Sequence, residues 1–212
     1  MSFDDSTRTL IIFSKAPVAG QVKTRLQADI GPEACAVLQE RMIRKTLSTS
    51  LASSANHVVI YTWPDMHHPL FQSLGKQYDI SLCRQSGDTL GERMSQAFAQ
   101  ALENPGPVLL IGTDCPALTP KILDQCFDEL EKGIDCVLVP ALDGGYVLIG
   151  LCQHHPKVFE NIDWGTEQVL EQTIEQLKAL NLSFQCLPTL QDIDTINDLK
   201  ACTELEIKDL LP

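Results

Sequence analysis

LIIFSKAPVAGQVKTRL, residues 10–26, is the stretch around which the rest of the chain is arranged. Residues 10–13 form a short apolar run, the pattern of a buried strand. Pro17 and Gly20 then take the backbone out of regular structure. Lys15, Lys23 and Arg25 stand in or just after that break. Between Ser6 and Ala28 there are four cations, Arg8 included, and no carboxylate. The formal net charge of the chain is −12, so the sign reverses locally. A loop with cations and free backbone N–H groups at the end of a first strand suits a phosphate ligand. A solvated basic turn has the same local pattern, and the downstream sequence shifts the balance.

At 212 residues and 44% hydrophobic, the chain can bury a full core and reads as a single domain over 1–212. It opens MSFDDSTRTL, acidic and polar, so no secretory signal is expected. No run is long enough to span a bilayer. Eight cysteines are present without a C-x-x-C pair, which reads as reduced, buried thiols in a cytoplasmic protein. The acidity argues against a sequence-tolerant nucleic-acid binder, which needs a broad basic surface. It leaves room for a nucleotide, because only a local site must be positive.

Downstream, the periods alternate. Gly31-Pro32 opens a helical stretch to about residue 52, and residues 57–62 read as a second strand. A short helix follows Pro69, residues 80–84 are a third strand, and residues 90–101 have helical spacing. Residues 108–111, VLLI, are a continuous apolar run of the kind covered on both faces of a sheet. Thr119-Pro120 reads as an N-cap followed by proline at the first helical position, with Ile122, Cys126 and Leu130 inward and Gly133 as the stop. Residues 136–140 and 146–151 are two strands. Thr166 is expected to cap a helix to Leu180, Asn181 to stop it, and a last strand and helix to follow. Strands alternating with helices predict an α/β fold with a mostly parallel sheet.

In such sheets ligands sit beyond the carboxyl ends of the strands. That rule selects residues 15–25, residues 85–93, Asp114, Asp143, Asp192 and Asp194. Asp114, after a buried strand, can hold a hard cation such as Mg²⁺ or Mn²⁺, with Asp194 as a second ligand; both residue types also serve as turn and helix caps. Asp192 and Asp194, two apart, share a face on an extended chain. Gln85 has the paired donor and acceptor that reads a base edge, and Gly91 permits close approach of a base or ribose, or simply opens a helix. Asp143-Gly144-Gly145 is a hairpin turn by type, or a carboxylate with room for a bulky substrate beside it. Trp164 can stack on a sugar face or pack as core. No G-x-G-x-x-G, complete P-loop or G-x-S-x-G is present.

FSKAPVAGQVKTRL, GDTLGERM, LLIGTDCPALTP, DGGYVLIGL, DWGTEQVL and DIDTINDL, in that order, resemble a bacterial family of GT-A-type transferases. That family is known as nucleotide-diphospho-sugar transferases or glycosyltransferase-like proteins. It is related to the molybdenum-cofactor and coenzyme F420 guanylyltransferases. The resemblance implies a three-layer α/β/α sandwich around a mixed sheet. It implies that Lys15, Ala16, Pro17, Gly20, Lys23 and Arg25 lie against the nucleotide phosphates and that Gln85 and Gly91 lie at the base. It implies Asp114 and Asp194 as ligands of Mg²⁺ or Mn²⁺, with Asp143, Gly144 and Trp164 toward the acceptor or sugar. Lys23, Arg25 and Asp114 would carry the catalysis.

Two departures matter. The first loop is less glycine-rich than in sugar nucleotidyltransferases, and Thr113-Asp114-Cys115 replaces the Asp-x-Asp of many glycosyltransferases. The expected function is a metal-dependent transferase using a nucleotide or nucleotide-sugar donor and a small-molecule acceptor. Glycosyl transfer ranks first, nucleotidyl transfer with pyrophosphate release second, and a catalytically inactive nucleotide-binding protein third. Neither a nucleic-acid partner nor a membrane span is expected, and a homodimer is compatible with the sequence.

Overall fold

The computed structural model describes residues 7–211. In chain order its elements are β1 (Thr9–Lys15), α1 (Gln27–Leu51), β2 (His57–Trp63), α2 (Pro69–Tyr78), β3 (Ser81–Arg84), α3 (Leu90–Ala101), β4 (Val108–Ile111), α4 (Pro120–Glu131), β5 (Cys136–Pro140), β6 (Tyr146–Leu151), α5 (Val169–Ala179), β7 (Phe184–Cys186) and α6 (Ile196–Ala201). The strands form one seven-stranded sheet in the order β3-β2-β1-β4-β6-β5-β7. β6 runs antiparallel to both of its neighbours, and every other pair is parallel. The fold is the α/β arrangement that the alternation predicts, with the mixed sheet that the family resemblance implies.

Period-two alternation in β1 divides the core. Leu10 and Ile12 face one layer, where Ile43 and Leu47 of α1, Phe71 and Leu74 of α2, and Leu123 and Phe127 of α4 cover the sheet. Ile11 and Phe13 face the other, covered by Met94 and Phe98 of α3 and Leu177 of α5. A third apolar cluster joins Leu26, Leu38 and Met42 to Ile193, Leu199 and Ile207. It fastens the chain after β7 onto α1. No described helix is long and apolar enough to cross a membrane.

Local chemistry accounts for most element ends. Thr119 Oγ1 accepts from Ile122 N (3.3 Å) with Pro120 behind it, as its type dictates. Asn181 adopts φ 55° after α5. Gly31 (φ 81°, ψ 158°) breaks α1 before Pro32, so the regular helix does begin where Gly31-Pro32 marks it. Two expectations shift. Thr166 does not cap α5: its Oγ1 donates to Asp163 O (2.8 Å) and accepts from Gln168 N, closing a turn that delays the helix to Val169. On α4 the inward stripe is Leu123, Cys126, Phe127 and Leu130, with Ile122 at its margin.

The parallel strands β1, β2, β3, β4, β5 and β7 all end on one edge of the sheet, and β6 begins there. The loops after β1 and β4 leave in opposite senses, since β2 lies on one side of β1 and β4 on the other. That is the crevice in which α/β sheets bind ligands.

Candidate active site

Lys23 is the pivot of this edge. It adopts φ 48°, ψ 43°, a left-handed conformation that costs a non-glycine residue about 1 kcal/mol or more. The turn sends its side chain inward, leaving it 5% exposed. There the ammonium donates to Ile193 O at 2.6 Å and pairs with Asp114 Oδ1 at 3.1 Å. Asp114 stays open, its side chain 51% exposed. Two residues on, Arg25 Nη1 meets Asp194 Oδ2 at 2.6 Å. Behind them Gln39, buried on α1, donates to Thr113 Oγ1 (3.2 Å) and Lys15 O (3.4 Å), tying the ends of β1 and β4 together.

Ile193 explains the geometry of the last carboxylates. Its side chain is buried against α1, and its N–H donates to Asp114 O at 2.9 Å. Asp192 and Asp194 flank it on an extended segment and therefore lie on the same side. Carboxylate oxygens of Asp143, Asp192 and Asp194 lie within 4.8 Å of one another. Burial, followed by the charges of Asp143 and Asp194, pushes the Asp192 carboxyl up to about 6. Six oxygens around Mg²⁺ at about 2.1 Å are roughly 3–4 Å from one another. Three converging carboxylates, with Asp114 beside them, are a donor set of the right chemistry and spread for such a cation.

Two cavities open on this edge. One, about 390 Å³, has Lys15, Lys23, Arg25, Trp63, Gln85 and Arg93 on its walls. The other, about 530 Å³, has Asp143, Tyr146, Trp164 and Asp192. They share Phe13, Lys15, Arg25, Leu90, Gly112, Asp114 and Asp194. A third cavity of about 700 Å³ lies behind Trp164, between α3 and residues 156–164; no cation lines it.

The structure therefore gathers Lys15, Lys23, Arg25, Gln85, Asp114, Asp143, Asp194 and Trp164 around one junction. Several expectations change. Ala16 and Pro17 are on neither cavity wall: the Ala16 side chain is buried in the core and its N–H donates to Trp63 O (3.0 Å). Gly20, at φ 80°, turns in the open with no atom near its missing side chain. These three shape the loop, and its cations line the cavity. Gly91 makes its close approach to the protein itself, because a Cβ there would lie 2.6 Å from Phe159 O and 2.7 Å from Trp164 Nε1. Gly144 likewise leaves no room for a substrate: a Cβ would meet Glu167 O at 2.2 Å. Gln85 lines the cavity with one amide donor already committed to Tyr61 O (2.9 Å). Asp143, read as acceptor-side, converges with Asp192 and Asp194, whereas Asp114, expected as a metal ligand, lies outside that cluster and pairs with Lys23.

Four contributors had no site role assigned from the sequence, although Asp192 and Arg93 lie among the residues that the strand-end rule selects. Asp192 was visible as the partner of Asp194 in the D-I-D alternation. Trp63 and Arg93, which stack at 3.6 Å, come from the end of β2 and the first turn of α3 and leave no joint signal in the sequence. Gln39 is a polar residue on the buried face of α1, and that placement was the available sign.

No curated protein matches the chain in sequence. Among solved structures, a CMP:2-keto-3-deoxy-manno-octonic acid synthetase in complex with CTP superposes with TM-score 0.59 at 9% identity, over 92% of this chain and 96% of that one. A cytidylyltransferase from Leptospira borgpetersenii gives 0.59 at 17%, over 97% and 92%. These two likenesses are of fold. A protein provisionally named a nucleotide-diphospho-sugar transferase, from Desulfovibrio desulfuricans G20, gives TM-score 0.85 at 30% identity, over 92% of this chain and 86% of that one. Residues 46–166 match the family model described as "Uncharacterized protein conserved in bacteria (DUF2064)", and the chain belongs to that family.

Proposed function

We propose that this protein is a metal-dependent transferase that takes a glycosyl group from a nucleoside diphosphate sugar and passes it to a hydroxyl or amine acceptor. One observation carries the reading: two cavities of opposite charge meet along a wall made of Lys15, Arg25, Asp114 and Asp194. The cationic cavity suits the donor's phosphates. The other, with carboxylates and the Tyr146 and Trp164 rings, suits a polar acceptor without a phosphate of its own. The name of the Desulfovibrio relative supports the donor class.

Lys23 and Arg25 neutralise charge that builds on the departing nucleoside diphosphate, and Lys15 extends that field along the loop. The bond from the anomeric carbon to the diphosphate oxygen breaks as the bond to the acceptor oxygen or nitrogen forms. The acceptor's proton passes to a carboxylate of its cavity. Asp143, Asp192 and Asp194, with Asp114 adjacent, would hold Mg²⁺ or Mn²⁺, which would supply further charge neutralisation at the diphosphate. The remaining catalysis is positioning, so no covalent nucleophile is required.

Nucleotidyl transfer is the second reading. It is favoured by the missing Asp-x-Asp, since Cys115 is only 4% exposed and offers no second ligand beside Asp114. There an acceptor phosphate attacks the α-phosphorus and pyrophosphate leaves. Thermal stability is measured first, with nucleoside triphosphates and nucleotide sugars, each with and without Mn²⁺, for wild type and Asp114→Ala. A ligand at about 100 times its dissociation constant adds roughly 2.7 kcal/mol. Released product then separates the readings: nucleoside diphosphate supports glycosyl transfer, and pyrophosphate supports nucleotidyl transfer. Nucleotide binding with neither product supports an inactive binding protein. No shift with any nucleotide overturns the site assignment.

A further inference from the structure

We propose that Arg93, stacked on Trp63, is the platform on which the donor's nucleobase lies. This rests on the nucleotide reading above and adds the side chains that would select the nucleoside half. The Arg93 guanidinium carbon stands 3.6 Å from the centroid of the Trp63 ring, well inside the range of a cation–π contact. Its plane is pinned from the other side of the loop: Nε donates to Gly87 O (3.0 Å) and Nη2 to Asp88 O (3.3 Å). The start of α3 is fixed as well. Thr89 Oγ1 accepts from Glu92 N (3.2 Å), and Glu92 Oε2 accepts from Asp88 N (2.8 Å) and Thr89 N (3.4 Å). The guanidinium is therefore held before any ligand arrives.

Its position is that of a nucleoside contact. Trp63 ends β2 and Gln85 follows β3, whereas Lys15 ends β1 and Asp114 lies just past β4. In the order β3-β2-β1-β4 the cavity thus runs from an aromatic-and-amide end to a charged end. From β3 to β4 is three strand spacings, roughly 14 Å. That span accommodates a base at one end and phosphates at the other. Arg93 forms no ion pair with a carboxylate among the described residues, so its charge is not spent on the fold. Two carbonyls take up part of its donor fork, which blunts it for bidentate phosphate binding and leaves a flat cation. One face of that cation is on the indole. The other can receive a base, and arginine planes stack well on bases of any kind.

The test is calorimetric titration of the full chain with inorganic pyrophosphate and with UDP, CDP, GDP and ADP, each with Mn²⁺. Arg93→Lys keeps the charge and removes the plane; Trp63→Leu removes the support. The best-bound nucleoside diphosphate is expected to weaken about ten-fold in each variant, with pyrophosphate affinity unchanged. Equal losses for pyrophosphate would make Arg93 a phosphate ligand and overturn the proposal. So would unchanged nucleotide affinity in Arg93→Lys, which stands alone if Trp63→Leu fails to fold. A wild type that binds pyrophosphate as well as any nucleotide overturns the platform alone. A wild type that binds neither overturns the nucleotide reading beneath it.

Discussion

The two halves of the cleft are built from different parts of the sheet and carry opposite charge. Over β1, β2 and β3 the lining comes from the ends of parallel strands, the loop after β1 and the first turn of α3, and it holds Lys15, Lys23, Arg25 and Arg93. Over β5, β6 and β7 it comes from a hairpin and the segment after the last strand, and it holds Asp143 and Asp192. The antiparallel β6 makes the second half possible. It turns the chain back at Asp143, close to the end of β4, so that Asp143 meets carboxylates more than forty residues later in sequence. Lys23–Asp114 and Arg25–Asp194 stitch the halves together at the seam. The field changes sign where the transferred group would cross from donor to acceptor.

The seam is the first place to break this comparison. Lys23→Gln removes the ammonium that lines the cationic cavity and pairs with Asp114 at the seam. Turnover of the activated donor is expected to fall about 10²- to 10³-fold, the scale of losing one preorganised donor at developing charge. Steady-state kinetics would check it. A loss below about five-fold would place Lys23 in the loop's architecture alone.

Gly91→Ala separates the halves. Its Cβ would press on Phe159 O and Trp164 Nε1, so the acceptor wall must move. Overpacking of this kind costs about 1–3 kcal/mol. Denaturant unfolding should show that loss, while pyrophosphate affinity stays at its wild-type value. If pyrophosphate binding falls in step with stability, the two cavities do not act independently.

Asp194→Asn sharpens the seam itself. It removes one of the three converging carboxylates and frees Arg25. Mn²⁺ affinity should weaken by about ten-fold or more, a loss that even outer-shell changes at metal sites produce. In EDTA, pyrophosphate should bind at least as tightly as to wild type, because Arg25 no longer has an internal partner. Weaker pyrophosphate binding in EDTA would mean that the Arg25–Asp194 pair shapes the phosphate site instead of competing with it.

The sequence revealed more of the donor half than of the acceptor half, and for a physical reason. Elements and caps are local: Thr119-Pro120, Gly133 and Asn181 mark their boundaries within a few residues. Strand-end position is nearly local too, so Lys15, Lys23, Arg25 and Asp114 could be selected from one rule about sheet edges. The Asp143–Asp192–Asp194 set depends on two segments meeting across β5 and β7, and no window of sequence contains both. The same holds for Trp63 and Arg93. Glycines misled in a consistent way. Gly91 and Gly144 read as space for a ligand, yet each is small because another part of the chain occupies the space. A glycine near a site reports close approach without naming what approaches.

Asp192 gives the smallest effect and a direct readout of the acceptor half's charge. Its carboxyl is raised to about 6 from an ordinary value of 3.8, first by burial and then by Asp143 and Asp194. A carboxyl raised on folding binds more protons in the native than in the unfolded state between those values. The contribution of Asp192 to the stability of the metal-free protein should therefore fall as pH rises from about 4 through 6. The full shift corresponds to about 3 kcal/mol; solvent screening of a partly exposed group reduces it to about 1 kcal/mol. Asp192→Asn removes this penalty. In EDTA the variant should melt about 2–4 °C above wild type at pH 7 relative to their difference at pH 4, given the size of the chain. Mn²⁺ should reverse the order at pH 7, since wild type keeps a ligand that the variant lacks. A variant whose relative melting temperature does not change with pH would show that Asp192 ionises as an ordinary carboxyl, raised neither by burial nor by Asp143 and Asp194.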